Sequence, residues 1–191
     1  MRNRITWLGI VFLLSCSTIN FGQMSSPPPA KTPGDATNAI LAIVEREFVS
    51  AADAMPEDKY SYAPTNGEFK GVRTFAQQVK HVAAVNYIFG ASILNEKPPV
   101  DVGGESGPDA IKSKAEIMKF LKDSFAYLHK ATGSVSEKNQ LEPVTVFGEM
   151  KMARSSVATF ASAHPMDHYG QMVEYLRMNG IVPPASRQQG Q

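Results

Sequence analysis

Four long segments of this chain carry apolar residues at three- and four-residue steps, and this spacing limits the folds available to it. Such steps place the apolar side chains on one face of an α-helix. The stretch "PVTVF" is the best candidate for a strand, but a single strand cannot form a sheet. We therefore predict an all-α four-helix bundle. The stripe of the first segment consists of Ile40, Leu41, Val44, Phe48 and Ala51.

Capping residues, prolines and glycines set the expected ends of the four helices. Asp35 or Thr37 can cap the first helix, and Ser113 with Glu116 forms a capping box for the third. Asn179-Gly180 is a helix-stop signal for the fourth. We expect the first helix to end at Met55. The second should span Val72 to Leu94, the third roughly Ser113 to Lys130 and the fourth roughly Glu149 to Met178.

The N-terminal segment has the order of a secretory signal peptide. Basic residues precede an apolar run from Ile5 to Leu14, and small and polar residues follow it. The run is too short for a permanent transmembrane helix. We predict an exported protein, periplasmic or extracellular. "LLSC" also resembles a bacterial lipobox, in which an acylated Cys16 would attach the protein to a membrane.

Composition sets the domain organisation and removes several functions. We expect a signal peptide at 1–23, a Pro- and Ser-rich linker at 24–37, one bundle domain at 38–184 and a polar tail at 185–191. The net charge is only +1 and no basic stripe carries interleaved aromatic residues, which argues against a nucleic-acid partner. Cys16 is the only cysteine, so the mature protein has no internal disulfide, catalytic thiolate or cysteine-bound zinc.

The histidines are the candidate metal ligands. His164 and His168 lie four residues apart on the fourth predicted helix, so their rings share a face within an apolar seam. A buried neutral imidazole needs a partner for each nitrogen, and a metal supplies one. His81, at the shoulder of the second helix's apolar stripe, is the third candidate. His129, in the last turn of the third helix, is expected to interact with the helix dipole instead.

Three imidazoles with further positions open to water or substrate are typical of a catalytic site that takes zinc, nickel, iron or cobalt. No convincing general base accompanies them, because Asp167 and Glu174 point away from the histidine face and are expected to be solvated. The candidates for polar groups around the metal or substrate are Asn86, Tyr87, Gln171 and Tyr175.

Pro165, between the two histidines of the fourth helix, opposes this arrangement. Proline removes a backbone hydrogen bond within a helix and biases the preceding residue, here His164, away from helical dihedral angles. Residues 165–168 can stay helical with either a kink or a break, but a break could turn His164 off the shared face. We expect the kink.

The stretches "GVRTFAQQVKHVAAVNYIFG" and "HPMDHYGQMVEYLRMNGIVPP", with "MPEDKYSYAP" before the first, resemble the DinB-like family of four-helix-bundle proteins. The resemblance implies a divalent metal held by a histidine of the second helix and an HxxxH pair of the fourth, here His81, His164 and His168. It also implies an up-down-down-up helix order with a long cross-connection. Characterised relatives include thiol S-transferases and isomerases that use low-molecular-weight thiols.

We therefore predict an exported, metal-dependent hydrolase or thiol S-transferase-like enzyme that acts on a small molecule. Three alternatives stay open. "HPMDH" resembles the inverted zincin motif H-x-x-E-H with Asp in place of Glu. The protein could instead be a non-catalytic metal- or ligand-binding bundle of the cell envelope. It could also be a structural bundle whose histidines pair with each other. Exposed helix faces would also allow a homodimer.

Overall fold

The computed structural model describes residues 29–187 of the chain. The predicted signal peptide with Cys16, the linker up to residue 28 and the tail from residue 188 lie outside the described residues. No helix within 29–187 is long and apolar enough to cross a membrane. The four predicted helices are present: α1 (Pro33–Ala54), α2 (Phe75–Leu94), α3 (Lys114–Gly133) and α4 (Arg154–Met178).

α1 begins earlier than the sequence predicted. Its N-cap is Thr32, whose side chain accepts a hydrogen bond from the backbone N–H of Asp35, while the Asp35 carboxylate accepts one from the backbone of Thr32. Asp35 therefore completes a capping box instead of forming the cap itself. Pro33 occupies the first helical position, where its fixed φ is favourable. Residues 33–37 thus belong to the helix and not to the linker.

α2 and α3 begin with the same type of cap. The predicted capping box of Ser113 and Glu116 is confirmed, with α3 starting at Lys114. A second one, between Thr74 and Gln77, starts α2 three residues later than predicted. Both boxes satisfy backbone N–H groups that the first helical turn leaves free.

A β-hairpin replaces the predicted start of the fourth helix. Strands β1 (Pro143–Val146) and β2 (Met150–Ala153) pair antiparallel, so the prediction that "PVTVF" has no strand partner was wrong. Phe147 and Gly148 both have positive φ, 50° and 81°, as the central residues of a tight hairpin turn often do. The turn closes by a hydrogen bond from the backbone N–H of Glu149 to the carbonyl of Val146.

The helices run up-down-down-up, as the resemblance implied. Residues 86–90 of α2 contact residues 124–127 of α3 in the same chain direction, so these two neighbours are parallel. α1 runs opposite to α3, because Gly34 at its start lies against the carbonyl of Thr132 near the end of α3. Consecutive helices that run parallel need a long crossover connection in a four-helix bundle. The segment between Leu94 and Lys114 is that connection.

α2 and α4 are direct neighbours and run antiparallel. Phe89, near the end of α2, packs against Phe160 of α4, while Gln78 near its start bonds to Gln171. His81, on the shoulder of the α2 stripe, therefore faces the adjacent helix α4. This pairing brings the middle of α2 to the middle of α4.

The apolar stripes form one core between the helices. The apolar spacing of the second segment predicts a stripe of six residues, and all six are buried: Phe75, Val79, Val82, Val85, Phe89 and Ile93. In the α1 stripe, Leu41 is fully buried but Ile40 is 56% exposed. Ile40 instead lines a surface groove between α1 and α4. The largest fully buried side chains include Phe48, Phe75, Phe89, Phe125, Leu41, Ile93, Leu121 and Met172.

Gly90 lies where α2 and α3 approach closely. A Cβ there would lie 2.6 Å from Cε1 of Tyr127, whereas a Cβ at Gly170 of α4 would meet nothing within 4 Å. We expect Gly90→Ala to lower the free energy of unfolding by about 1–3 kcal/mol. Gly170→Ala should raise it by about 0.5–1 kcal/mol, because alanine is the better helix former. Urea unfolding followed by circular dichroism measures the free energy of unfolding of both variants. If both substitutions changed it in the same direction, the close approach of Gly90 to Tyr127 would be contradicted.

Candidate metal centre

The three histidines predicted as ligands lie together between α2 and α4. Nε2 of His164 is 3.2 Å from Nε2 of His81 and 3.1 Å from Nε2 of His168. One ring nitrogen from each residue lies within 4.8 Å of the others. Because the two helices are antiparallel neighbours, one residue of α2 reaches a pair spaced one turn apart on α4.

α4 has no break at Pro165. The helix is continuous from Arg154 to Met178, with Pro165 buried inside it. His164 therefore keeps its place on the same face as His168, and the alternative in which it turns away is wrong. Pro165 costs α4 one backbone hydrogen bond, but the packed helix tolerates this loss.

The long connection between α2 and α3 orients His81. Nδ1 of His81 lies 2.6 Å from the backbone carbonyl oxygen of Glu105, in the short 3₁₀ turn Gly104–Ser106. A carbonyl oxygen only accepts, so Nδ1 of His81 carries the proton and donates it. Nε2 of His81 then has a free lone pair that faces His164. Such a hydrogen bond to the second nitrogen is typical of histidines that bind metals.

A glutamine that the sequence analysis missed orients His168. Nδ1 of His168 lies 2.8 Å from Oε1 of Gln78, whose side chain is almost completely buried. Gln78 precedes His81 by three residues on α2, so both side chains face α4. A buried amide one turn from a candidate ligand was the signal available in the sequence.

Two of the four predicted polar neighbours lie near the site, and two do not. Gln171 accepts a hydrogen bond from Gln78, and the hydroxyl of Tyr175 donates to a backbone carbonyl just before α2. Asn86 and Tyr87 face α3, where Asn86 donates to a serine hydroxyl and Tyr87 packs on aromatic rings. The expectation for Asn86 and Tyr87 was wrong because they occupy the opposite side of α2.

His129 lies outside the cluster, as predicted. Its ring contacts two side chains of α1: Nδ1 is 3.0 Å from Oδ1 of Asn38, and Nε2 is 3.0 Å from Oε2 of Glu45. These contacts, which tie α3 to α1, give His129 a structural role.

The cluster holds its imidazoles in the neutral form. Burial is the main cause that lowers the pKa of His164 to about 3 and that of His168 to about 4, and it also lowers the pKa of His81. The neighbouring imidazoles and Arg73 lower the pKa of His164 further, because they add positive charge. Neutral rings at pH 7 are the form in which histidine binds metals.

The metal-free protein should lose stability as the pH falls below about 6.5, the ordinary pKa of histidine. In the unfolded chain, His164 binds a proton near that pH, but in the folded protein only near pH 3. The unfolded state therefore binds more protons between these values, and the free energy of unfolding falls as the pH is lowered. Chemical unfolding at pH 7, 5 and 4 measures this effect. His164→Gln, which keeps every carboxylate, should show a weaker pH dependence; an identical one would contradict the prediction.

The donor set fits a divalent transition metal. Nδ1 of His81 and Nδ1 of His168 both donate to oxygen, so their Nε2 atoms are acceptors, and both face Nε2 of His164. A single proton on Nε2 of His164 cannot form a good hydrogen bond with both acceptor nitrogens, whereas a cation can bind all three Nε2 atoms. Two nitrogens bound tetrahedrally to zinc, at about 2.0–2.1 Å, lie about 3.3 Å apart. The separations of 3.2 and 3.1 Å are close to this value.

The cluster contains three imidazole rings and no carboxylate. Among residues 29–187, the only group suited to hold a metal is His81, His164 and His168. Asp167 and Glu174 are exposed, as predicted, although Asp167 also accepts a hydrogen bond from Gln171. An ion held by three rings would keep further positions open for small molecules.

Aromatic side chains form the apolar border of the site. The ring of buried Phe89 lies 5.9 Å from that of His164, measured between centroids. Phe147 of the hairpin turn and Phe160 of α4 pack edge-on against Phe89, and they are 41% and 46% exposed. The site therefore borders an exposed apolar surface, which we name the aromatic rim and define as Phe89, Phe147 and Phe160.

These observations define the class: an up-down-down-up four-helix bundle with a three-histidine cluster between its second and fourth helices. Residues 40–172 match the family model of the DinB superfamily, and the chain belongs to that superfamily. The resemblance found in the sequence is thereby confirmed.

One solved structure of similar fold is a DinB-like protein from Bacillus cereus ATCC 10987. Its TM-score is 0.59 and its sequence identity 14%, over 78% of this chain and 95% of that chain. At this identity the likeness shows a shared fold. A comparison with curated proteins gives no match.

Proposed function

We propose that this protein binds a divalent transition metal through His81, His164 and His168 and uses it as a metal-dependent hydrolase or transferase. The observation that supports this most directly is the convergence of three Nε2 atoms, two of which have acceptor lone pairs facing the third. Zinc, nickel and iron all accept imidazole ligands, so each is a candidate. Glu105 and Gln78 hold two of the rings for this purpose.

When bound at such a site, a divalent ion supplies Lewis acidity that lowers the pKa of a water molecule or a thiol. The chain's own residues supply position and surroundings. The three rings hold their neutral form because they are buried, and the backbone carbonyl of Glu105 fixes one of them. Phe89 and Phe160 make one side of the site apolar, because their ring centroids lie 5.9 and 6.4 Å from that of His164.

The aromatic rim favours a small substrate with an apolar part. Phe147 and Phe160 expose 41% and 46% of their surface beside the cluster, which an apolar group of a substrate would cover. Covering apolar surface contributes binding free energy in proportion to the area removed from water. A hydrolase or thiol S-transferase-like reaction fits this arrangement, since both need a nucleophile activated at the metal.

The proposal includes export. The order of basic, apolar and small residues in 1–23 supports a signal peptide, and Cys16 would be the acylated residue of a lipoprotein. The mass of the mature protein after expression in a bacterium distinguishes the two forms. Cleavage after the signal peptide without added lipid would make it a free periplasmic or extracellular protein, whereas an acylated Cys16 would anchor it.

A non-catalytic metal-binding bundle is the second candidate. It is favoured by the composition of the cluster, which has no carboxylate within the described residues to act as a general base. Hydrolysis of activated esters and transfer of low-molecular-weight thiols, each measured with and without chelator, separate the two. Metal-dependent turnover supports the enzyme, and stoichiometric metal binding without turnover supports the non-catalytic bundle.

Elemental analysis of protein purified without a metal-affinity column tests the proposal. We expect close to one equivalent of zinc, nickel or iron in the parent protein and none after substitution of all three histidines. Added Zn²⁺ or Ni²⁺ should also raise the melting temperature of the metal-free parent, because ligands of the folded state stabilise it. A metal-free parent with an unchanged melting temperature would instead support histidines that pair with each other.

A further inference from the structure

Three hydrogen bonds connect the buried ring of His168 to a carboxylate at the surface of α4. The first joins Nδ1 of His168 to Oε1 of Gln78 at 2.8 Å, and the second joins Nε2 of Gln78 to Oε1 of Gln171 at 2.7 Å. The third joins Nε2 of Gln171 to Oδ2 of Asp167 at 3.2 Å. We name this series the glutamine relay. The relay begins at His168 on α4, passes through Gln78 on α2, and returns to α4 at Gln171 and Asp167.

The carboxylate gives the relay a single direction. An ionised carboxylate only accepts hydrogen bonds, so Gln171 must turn its NH₂ group toward Asp167. The carbonyl oxygen of Gln171 then faces Gln78, which must donate its own NH₂ group to it. The carbonyl oxygen of Gln78 is left facing His168. An amide can otherwise adopt either orientation, and here the charged end of the series selects one.

This direction decides which nitrogen of His168 carries the proton. Because Gln78 presents an oxygen, Nδ1 of His168 must be the donor, and Nε2 keeps its lone pair. Nε2 is the atom that lies 3.1 Å from His164 in the cluster. A proton on Nε2 would occupy the place of the metal, so only one tautomer can bind it.

We propose that Asp167 is a positioning residue that acts through Gln171 and Gln78 to hold His168 in its metal-binding tautomer. This proposal rests on the proposed metal binding, although it also applies to the metal-free ring. His81 needs no relay, because a backbone carbonyl, which cannot change its role, fixes its ring. His168 lacks such a carbonyl and depends on side chains.

Three variants and one control separate the relay from the charge of Asp167. Asp167→Asn keeps the shape but removes the acceptor-only group, and Gln171→Met interrupts the relay while keeping the charge. The third variant combines both substitutions. Glu174→Gln is the matched control, because it removes an exposed carboxylate from the same helix, and Glu174 makes no side-chain hydrogen bond within 29–187.

Two measurements apply to each protein at pH 7. Nitrogen-15 NMR of the metal-free protein reports the tautomer of His168, because the two ring nitrogens differ in chemical shift when one is protonated. Competition with a chelator gives the affinity for Zn²⁺. The first measurement does not depend on metal binding. A parent protein that fails to bind Zn²⁺ would therefore contradict the proposed function, but the tautomer of His168 would still test the glutamine relay.

We expect a single Nδ1–H tautomer in the parent and in Glu174→Gln, and a mixture of tautomers in the three variants. Each single variant should bind Zn²⁺ about tenfold more weakly, as changes to groups behind a metal ligand typically do. The double variant should be no weaker than either single one, since both substitutions interrupt the same series. The proposal is overturned if His168 keeps the Nδ1–H tautomer throughout. It is also overturned if Asp167→Asn weakens binding equally with and without Gln171, which would assign the effect to charge alone.

Discussion

The His168→Ala protein should bind Zn²⁺ more than about 100-fold more weakly than the parent and should remain a folded helical bundle. Changes behind a metal ligand typically cost about 10–100-fold in affinity, and removal of the ligand itself should exceed this. The fold should persist because the core consists of apolar side chains from all four helices, and His168 lies at its polar edge. Chelator competition measures the affinity, and far-ultraviolet circular dichroism measures the helical content.

His129→Ala is the matched control for this prediction. His129 is also a histidine on a helix of the bundle, but it contacts Asn38 and Glu45 of α1 and not the cluster. Its removal should leave the affinity for Zn²⁺ unchanged. If the two variants lost affinity equally, the metal would lie elsewhere, and unfolding of His168→Ala would show that the ring is structural.

The convergence of the three candidate ligands could be predicted in part from sequence, because helical spacing is a local property. Two residues four apart share a face in any α-helix, so the relation between His164 and His168 followed once the segment was recognised as helical. The contribution of α2 was harder, because it depends on which helices are neighbours. His81 was placed on the shoulder of its stripe, and only the antiparallel packing of α2 on α4 shows that this shoulder faces the pair.

The groups that orient the candidate ligands could not be predicted in the same way. The partner of His81 is a backbone carbonyl in the long connection, and any residue type at Glu105 could supply it. Gln78 was missed because its burial, which distinguishes it from the neighbouring Gln77, follows from the packing of α2 on α4 and not from its spacing to His81 alone. Asn86 and Tyr87 were selected for their polar groups, but their positions on α2 turn them toward α3.

The helices were predicted well, and the hairpin was not, for a physical reason. Helix periodicity is repeated over several turns, so capping residues such as Ser113 only refine it. The hairpin has two strands of four residues, and its turn contains Phe147 at positive φ, where asparagine or glycine is usual. A strand of this length is defined by its partner, and the alternation Met150-Lys151-Met152 in β2 is too short to predict a strand by itself.

Ile40 and Leu41 allow the packing of α1 to be tested with two adjacent residues. Both belong to the predicted apolar stripe, but Leu41 is fully buried, and Ile40 is 56% exposed at the groove between α1 and α4. Leu41→Ala should lower the free energy of unfolding by about 2–5 kcal/mol, because it removes buried methyl groups and leaves a cavity. Ile40→Ala should change it by less than about 0.5 kcal/mol, as exposed substitutions usually do.

Urea unfolding of the metal-free proteins measures this difference without a contribution from ligand binding. The comparison also tests whether the groove is covered in solution. If a second copy of the chain packed on it, Ile40→Ala would destabilise the protein, and its effect would grow with protein concentration because dimers dissociate on unfolding. A small effect of Ile40→Ala that is independent of concentration, together with a large effect of Leu41→Ala, would show that Leu41 packs α1 on the bundle and that the groove at Ile40 is not covered.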